Sequence, residues 1–309
     1  MLRFTLLRVL RAMLTIVGVV TLAFIILRAS SDPAEVLLGP DAPPEAVRAF
    51  RESWGLDQPI WVQYLDYLRS MLRGDFGRSM REGVPALSVV LGRIPATLSI
   101  TIPALLLSLA LGIPAGMLAA LRRNTPVDRG VMAAAVAGFT VPSFVLASVL
   151  ILVFAVHLGW LPAGGSDGWS NAILPVMTLA AGHAAVLARF SRSSMVEVLS
   201  QPYIRTASAK GLLWRNVVRA HALPNAAVPI VTIVGFMVGG LLAGAVVIES
   251  VFSWPGLGRL MVISVASRDL SVVQCILLLV SATMVLSNLS VDLLYGWLDP
   301  RLRQGGGRR

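Results

Sequence analysis

The chain has 309 residues, 56% of them hydrophobic and only 14% charged. Soluble domains carry about 25% charged residues, so a soluble globular fold of this length is excluded. The formal net charge of +10 would suit nucleic acid or a membrane surface, but the bases lie between long apolar runs, which excludes nucleic acid and leaves membrane lipid as the partner.

A helix needs about 20 mostly apolar residues to cross a bilayer. Six stretches qualify, with soft edges: 9–27, 97–121, 131–158, 173–188, 226–248 and 272–297, the fourth being the shortest and weakest. The expected fold class is all-α integral membrane with six transmembrane helices. The basic and apolar start at 3–31 also fits a signal peptide. Its long apolar stretch favours a retained span, because removal would leave five spans and split the termini.

The loops set the orientation. The N-terminal tail (Arg3, Arg8, Arg11), the loop at Arg122, Arg123 and Arg129, the loop from Arg189 to Arg219 and the C-terminal tail hold 16 bases and three acids. The alternate segments 28–93, 158–172 and 249–271 hold ten bases and twelve acids. Bases favour the cytoplasmic side, so both termini are expected there, in the cell (inner) membrane.

The chain divides into 1–30 (tail and first span), an external segment at 31–94, a core at 95–300 containing a loop at 200–224, and a tail at 301–309. In the external segment Pro33, Pro40, Pro43 and Pro44 predict an extended entry. Short amphipathic helices follow at 45–54 and 60–72, the second with Trp61, Tyr64, Leu65 and Leu68 at helical spacing. Its aromatic residues fit an interfacial anchor or a contact with an external partner. Asp75 fits a turn.

The loop at 200–224 carries the most information. Pro202 predicts the start of a short helix with Tyr203, Ala207 and Gly211 on one face, and Gly211 permits a left-handed turn. Leu212, Leu213 and Trp214 stand among Arg205, Lys210, Arg215 and Arg219. Apolar knobs in a basic surround fit a helix lying on anionic lipid or a plug docking into a groove of a cytoplasmic partner.

This loop resembles the EAA loop of ABC importer permeases. Ala207 and Gly211 fall on its small-residue and glycine positions, and Leu223-Pro224 follow at the expected distance. Arg205 stands at the Glu position, and His221 stands where an apolar residue is usual. Tyr203-Ile204-Arg205-Thr206-Ala207 and Ala209-Lys210-Gly211-Leu212 resemble the peptide/nickel branch. So do Leu56-Asp57-Gln58-Pro59, Gln63-Tyr64, Gly74-Asp75-Phe76-Gly77, Pro95-Ala96-Thr97-Leu98, Glu249-Ser250-Val251-Phe252, Pro255-Gly256-Leu257-Gly258, Asn288-Leu289, Val291-Asp292-Leu293-Leu294-Tyr295 and Leu298-Asp299-Pro300-Arg301. The long first loop is similar to the first permease of such a pair, the DppB/OppB type.

The resemblance implies the type I ABC importer permease fold and a role in importing di- or oligopeptides, with nickel complexes or glutathione as the alternative cargo. It implies a second homologous permease, two ABC ATPase subunits and an extracytoplasmic solute-binding protein as partners. Tyr203, Arg205, Thr206, Ala207, Lys210, Gly211, Leu212, Leu223 and Pro224 would form the ATPase-coupling loop. ATP and Mg would sit on the ATPase subunits, with no cofactor and no catalytic role on this chain. The sequence agrees independently: a phosphate-cradling loop needs Gly-Lys followed by Ser or Thr, and the sole lysine, Lys210, precedes Gly211.

Other residues carry weaker signals. Gly235/Gly239 and Gly240/Gly244 are small-x-x-x-small pairs, expected to pack helices or line the pathway. His183 within the fourth span is expected to be a satisfied interior histidine, and Glu249 and Asp292 to be half-solvated or paired with arginine. Pro103, Pro114 and Pro142 allow kinks. Cys275, alone in the chain, fits a small apolar filler. His157, His183 and His221 are too scattered for a metal site. A stand-alone secondary transporter would show midplane charges and inverted repeats, and an intramembrane enzyme would show paired catalytic residues; neither pattern is evident.

Overall fold

The computed structural model describes residues 10–298 apart from 12, 23, 26–37, 40, 41 and 244, with side chains to residue 290. Parts of the first expected span, Pro33, Pro40, Gly244, the side chain of Asp292 and the C-terminal tail lie outside the described residues. Among the described residues the regular secondary structure is helical, apart from one isolated bridge between Arg78 and Pro85.

A short apolar helix, α1 (Met13–Leu22), precedes two amphipathic helices, α2 (Pro44–Ser53) and α3 (Ile60–Leu72). Both match their expected positions, and in each a proline occupies the position just before the first helical residue. Tyr64 on α3 meets Thr21 through a 2.6 Å hydrogen bond. Phe24 packs on Tyr64 and Tyr67 with ring centroids 5.3 and 5.9 Å apart. Tyr64 therefore faces inward, whereas Trp61 and Leu65 of the expected stripe remain exposed.

Two long helices make the scaffold. α4 (Ala86–Leu121) has 36 residues and begins well before the expected second span, and α7 (Ser170–Leu199) has 30. α7 extends on both sides of the span that looked weakest, because Arg189 and Arg192 dilute its lower half. Pro103 and Pro114 sit within α4 without breaking it. The two backbones nearly touch: a Cβ on Gly112 would fall 2.7 Å from the Ala184 carbonyl oxygen, and one on Gly116 would overlap the Ala188 carbonyl. Small residues permit that approach, as in other membrane helix pairs.

The third expected span is broken rather than kinked. α5 (Pro126–Thr140) and α6 (Ser143–Leu150), which continues as a π-helical stretch Ile151–His157, meet at 100°. Pro142 causes this: it lacks an N–H, and it pushes Val141 into an extended conformation with φ −72° and ψ 121°.

After α8 (Pro202–Ala209), helix runs without a break from Trp214 to Gly239: α9 (Trp214–Val217), a π-helical turn Val218–Ala222, and α10 (Leu223–Gly239). The fifth expected span reached to residue 248, yet α10 ends at Gly239 and the chain turns at Gly240–Ala243. α11 (Val246–Val251), α12 (Leu257–Ala266) and α13 (Leu270–Leu298) complete the fold.

Four helices among the described residues are long and apolar enough to cross a membrane, or five with the bent pair counted as one. The end carrying α2 and α3 is called upper, and the end carrying residues 200–224 lower. An upper cluster around Val90, Leu257, Val272 and Cys275 packs helix on helix, which makes Cys275 the apolar filler expected. A second cluster joins Ile100, Leu174, Ile248 and Phe252. A third underlies the lower loop. Large apolar side chains elsewhere, among them Leu106, Leu111, Phe139 and Phe144, face outward, as an all-α integral membrane fold requires.

Candidate functional site

The lower loop is built on a seat of small and apolar side chains. Ile204 and Ala207 of α8 are buried against Met195 from α7, Ala120 from α4, and Val217, Val218 and Ala222. The buried face of α8 is thus the Ile204/Ala207 pair, three residues apart. This corrects the expected Tyr203–Ala207–Gly211 face: Tyr203 is 43% exposed, and Gly211 follows the end of the helix. Arg205, Thr206 and Lys210 point to solvent.

Gly211 adopts φ +80°, and its N–H donates to the Ser208 carbonyl at 3.0 Å. A Cβ there would meet nothing within 4 Å. The glycine is required for its backbone conformation, as expected, and not for room. The turn reverses the chain and projects the next three side chains. Leu213 is 74% exposed and Trp214 55%, with Leu212 beside them.

Leu223 is half-buried at the start of α10, and Pro224 follows directly after the π-helical turn Val218–Ala222, inside the helix that runs on from Trp214. The Ser194 hydroxyl donates to the Ala226 carbonyl at 2.9 Å and ties α10 to α7. Nearby, buried Asp128 receives Arg192 Nε at 2.5 Å and Nη2 at 2.8 Å, joining the lower ends of α5 and α7. Arg189 lies over the Phe139 ring, 5.4 Å from its centroid.

Sequence reasoning missed the seat residues Met195, Ile204, Val217 and Ala222, and it counted Asp128 and Arg192 only as loop charges. Ile204 and Ala207, three apart on an otherwise polar helix, were the available signal.

The expected glycine group divides. Gly239 packs on α13, where a Cβ would sit 3.0 Å from Ser287 Cβ, and the Ser287 hydroxyl donates to the Gly235 carbonyl at 2.7 Å. Gly240 has ordinary space around it, and Gly244 lies outside the described residues.

Of three other expectations, two change and one holds. Glu249 is fully buried and is held by neutral donors rather than by an arginine side chain. His183 Nδ1 is buried with no hydrogen-bond partner, so this histidine is not satisfied as expected. Asp75 does form a turn, accepting the Gly77 N–H at 2.9 Å.

Chemically, the lower loop offers exposed apolar knobs and exposed bases on a buried apolar seat.

Residues 112–304 match the family described as "Binding-protein-dependent transport system inner membrane component". Residues 1–101 match its N-terminal companion, "Binding-prot-dependent transport system membrane comp, N-term". The chain is 46% identical over 272 residues to "Glutathione transport system permease protein GsiC" of Escherichia coli (strain K12), covering 88% of this chain and 89% of that one. Against the protein of the same description in Salmonella choleraesuis (strain SC-B67) the figures are 43% over 304 residues, 98% and 99%. Among solved structures, a chain of the inward-facing MetNI methionine ABC transporter superposes with a TM-score of 0.58 at 21% identity, covering 68% of this chain and 96% of that one. A chain of an amino acid ABC transporter solved with histidines gives 0.52 at 19%, covering 69% and 94%. The fold is therefore that of type I ABC importer permeases, and the chain belongs to the binding-protein-dependent transport system inner membrane component family, as a permease of its peptide/nickel branch.

Proposed function

We propose that this permease passes short peptides, glutathione among them, and that it is driven through its lower loop by ATPase subunits on the cytoplasmic side. The observation that carries the coupling role is the left-handed turn at Gly211, which presents Leu212, Leu213 and Trp214 from a seat fixed to α4 and α7. Exposed apolar side chains on a rigid base suit a groove in a partner protein. The basic surround also fits lipid headgroups, but a peripheral amphipathic helix needs neither a left-handed reversal nor a buried seat.

In this reading, residues 200–224 form the ATPase-coupling loop, both termini are cytoplasmic, and ATP with Mg binds on the partner chains. The assembly comprises this chain, a second homologous permease, two ATPase subunits and an extracytoplasmic binding protein. The substrate class rests on the similarity to glutathione permeases. Glutathione is a tripeptide, so it falls within a short-peptide class rather than against it.

The test is competition in proteoliposomes holding the complete assembly. ATP-dependent uptake of a labelled dipeptide is expected to fall in excess unlabelled glutathione. Uptake of a nickel–histidine complex with no response to either peptide would overturn the substrate reading.

A further inference from the structure

Four buried side-chain atoms among the described residues have no hydrogen-bond partner: Gln63 Oε1, the Tyr67 hydroxyl, His183 Nδ1 and the Ser191 hydroxyl. Buried polar groups are nearly always paired, so each exception needs a cause. Two of the four, on Gln63 and Tyr67, belong to residues lining one cavity of about 300 Å³ at the upper end of the fold. It lies between α3, the turn at Asp75–Gly77 and the start of α13.

The α13 wall adds another unpaired group. Gln274 is 8% exposed, lines the same cavity, and makes no side-chain hydrogen bond among the described residues. A residue chosen for packing alone at this depth would be apolar, as its buried neighbours Val272, Val273 and Cys275 are.

The unpaired atoms share a sign. Gln63 Nε2 donates to the Leu56 and Gln58 carbonyls at 3.2 and 2.6 Å. Both its N–H groups are thereby used, and Oε1 remains as an acceptor. Asp75 Oδ1 accepts the Gly77 N–H, which leaves Oδ2. Asp66 also lines the cavity, and its ion pair with exposed Arg69 is long, at 3.6 Å. No arginine, lysine or histidine lines this space. Burial pushes the Tyr67 hydroxyl up to about 12, so it stays neutral and adds no negative charge of its own.

The cavity is therefore short of donors and of positive charge. Trp54 and Phe76 add aromatic rings to its lining, and ring faces attract cations. A metal ion is a poor match: among the described residues no three His, Cys, Asp or Glu side chains gather, and hard cations such as calcium take about six or more oxygen ligands. The volume is that of about ten waters at roughly 30 Å³ each, which reaches the lower end of small-molecule sites.

We propose that this cavity binds the primary ammonium group of a small solute or of a lipid headgroup, with Gln63, Asp75 and Gln274 accepting its N–H groups. Phe24, just after α1, lines the cavity too. The cavity thus borders a helix whose outward side chains, such as Met13 and Val17, are apolar, so a lipid is as available a source as a solute. The bound ammonium joins α3 to α13 and stabilises that contact.

The test uses the full chain in nanodiscs, with the thermal midpoint and equilibrium dialysis of labelled ethanolamine as readouts. In phosphatidylcholine discs ethanolamine should bind saturably and raise the midpoint. Choline has no N–H to donate and should do neither. Asp75→Asn keeps an acceptor for the Gly77 N–H but removes the charge, and should weaken binding at least tenfold. Gln274→Leu should abolish binding and leave the ligand-free midpoint unchanged or higher, because it removes an unpaired amide. Competition by alanyl-alanine but not by its N-acetylated form identifies a solute source. Loss of ethanolamine binding in phosphatidylethanolamine discs identifies the headgroup. No saturable ethanolamine binding in phosphatidylcholine discs would mean that the cavity holds water only, and it overturns the proposal. So do equal binding of choline, and a lower ligand-free midpoint in Gln274→Leu with ethanolamine binding retained.

Discussion

Asp128 and Arg192 form a two-pronged ion pair that joins the lower ends of α5 and α7, with Nε–Oδ1 at 2.5 Å and Nη2–Oδ2 at 2.8 Å. Asp128 also accepts the N–H of Asn124, a residue at φ +65°, at 2.9 Å. One carboxylate thereby fixes the turn between α4 and α5 and the frame in which the lower loop sits.

Because the pair depends on paired donors in a plane, charge alone will not replace it. Arg192→Lys is expected to lower the thermal midpoint of the solubilised chain, and Asp128→Ala to lower it further, since the Asn124 N–H then loses its acceptor. Asp128→Asn should fall between. Combined with Arg192→Met, Asp128→Ala should cost less than the sum of the single changes. A purely additive result in thermal denaturation would show that the two groups do not act together.

At the α4–α7 contact, glycine is needed for room. Gly112→Ala places a methyl group 2.8 Å from Leu187 Cβ. Overpacking of that kind costs about 1–3 kcal/mol, and Gly116→Leu should cost more. Both should reduce folded yield, measured by size-exclusion of the solubilised chain, whereas Gly92→Ala, with nothing within 4 Å, should leave the yield unchanged.

Two kinds of substitution in the lower loop should separate cleanly. Ala207→Asp puts a carboxylate into the seat beside Met195 and Val217, and an unpaired buried polar group costs several kcal/mol. It should therefore lower the amount of chain in the membrane. Leu213→Asp changes an exposed side chain, so the chain should stay at normal levels while the ATPase recovered with it falls more than tenfold. Equal ATPase recovery from the wild type and Leu213→Asp would remove the docking role of the knobs.

These residues also mark what the sequence made legible. Composition and periodicity reveal the membrane class, α2 and α3, and the glycine turn at Gly211, because each depends on local chemistry. The break at Gly240 was not legible, since the apolar run continues through it to Ile248 and hydropathy does not register a helix end. The inward placement of Glu249 was hidden for a related reason. Its partners Thr97 and Arg259 come from other elements, and nothing local distinguishes a carboxylate buried by long-range contacts from one in water. Tyr203 misled because helical spacing gives a shared face but not which face is buried; the side chains of Met195 and Val217 decide that.

Orientation has a direct chemical readout. In a Cys275→Ala background, Leu213→Cys should react with a membrane-impermeant maleimide in inside-out vesicles and not in intact cells. Trp160→Cys, exposed at the upper end, should show the reverse. The opposite labelling pattern would invert the assigned topology.

The central claim is that partner ATPases drive import through the Gly211 turn. A side chain at φ +80° strains the backbone by about 1–2 kcal/mol, and a Cβ at Gly211 clashes with nothing, so Gly211→Val perturbs the turn and little else. The decisive measurement is peptide uptake into proteoliposomes by wild-type and Gly211→Val assemblies, with and without the ATPase subunits. Uptake should require the ATPases and ATP, and it should collapse in Gly211→Val while that chain remains in the membrane. Uptake that persists without any ATPase subunit would contradict the account.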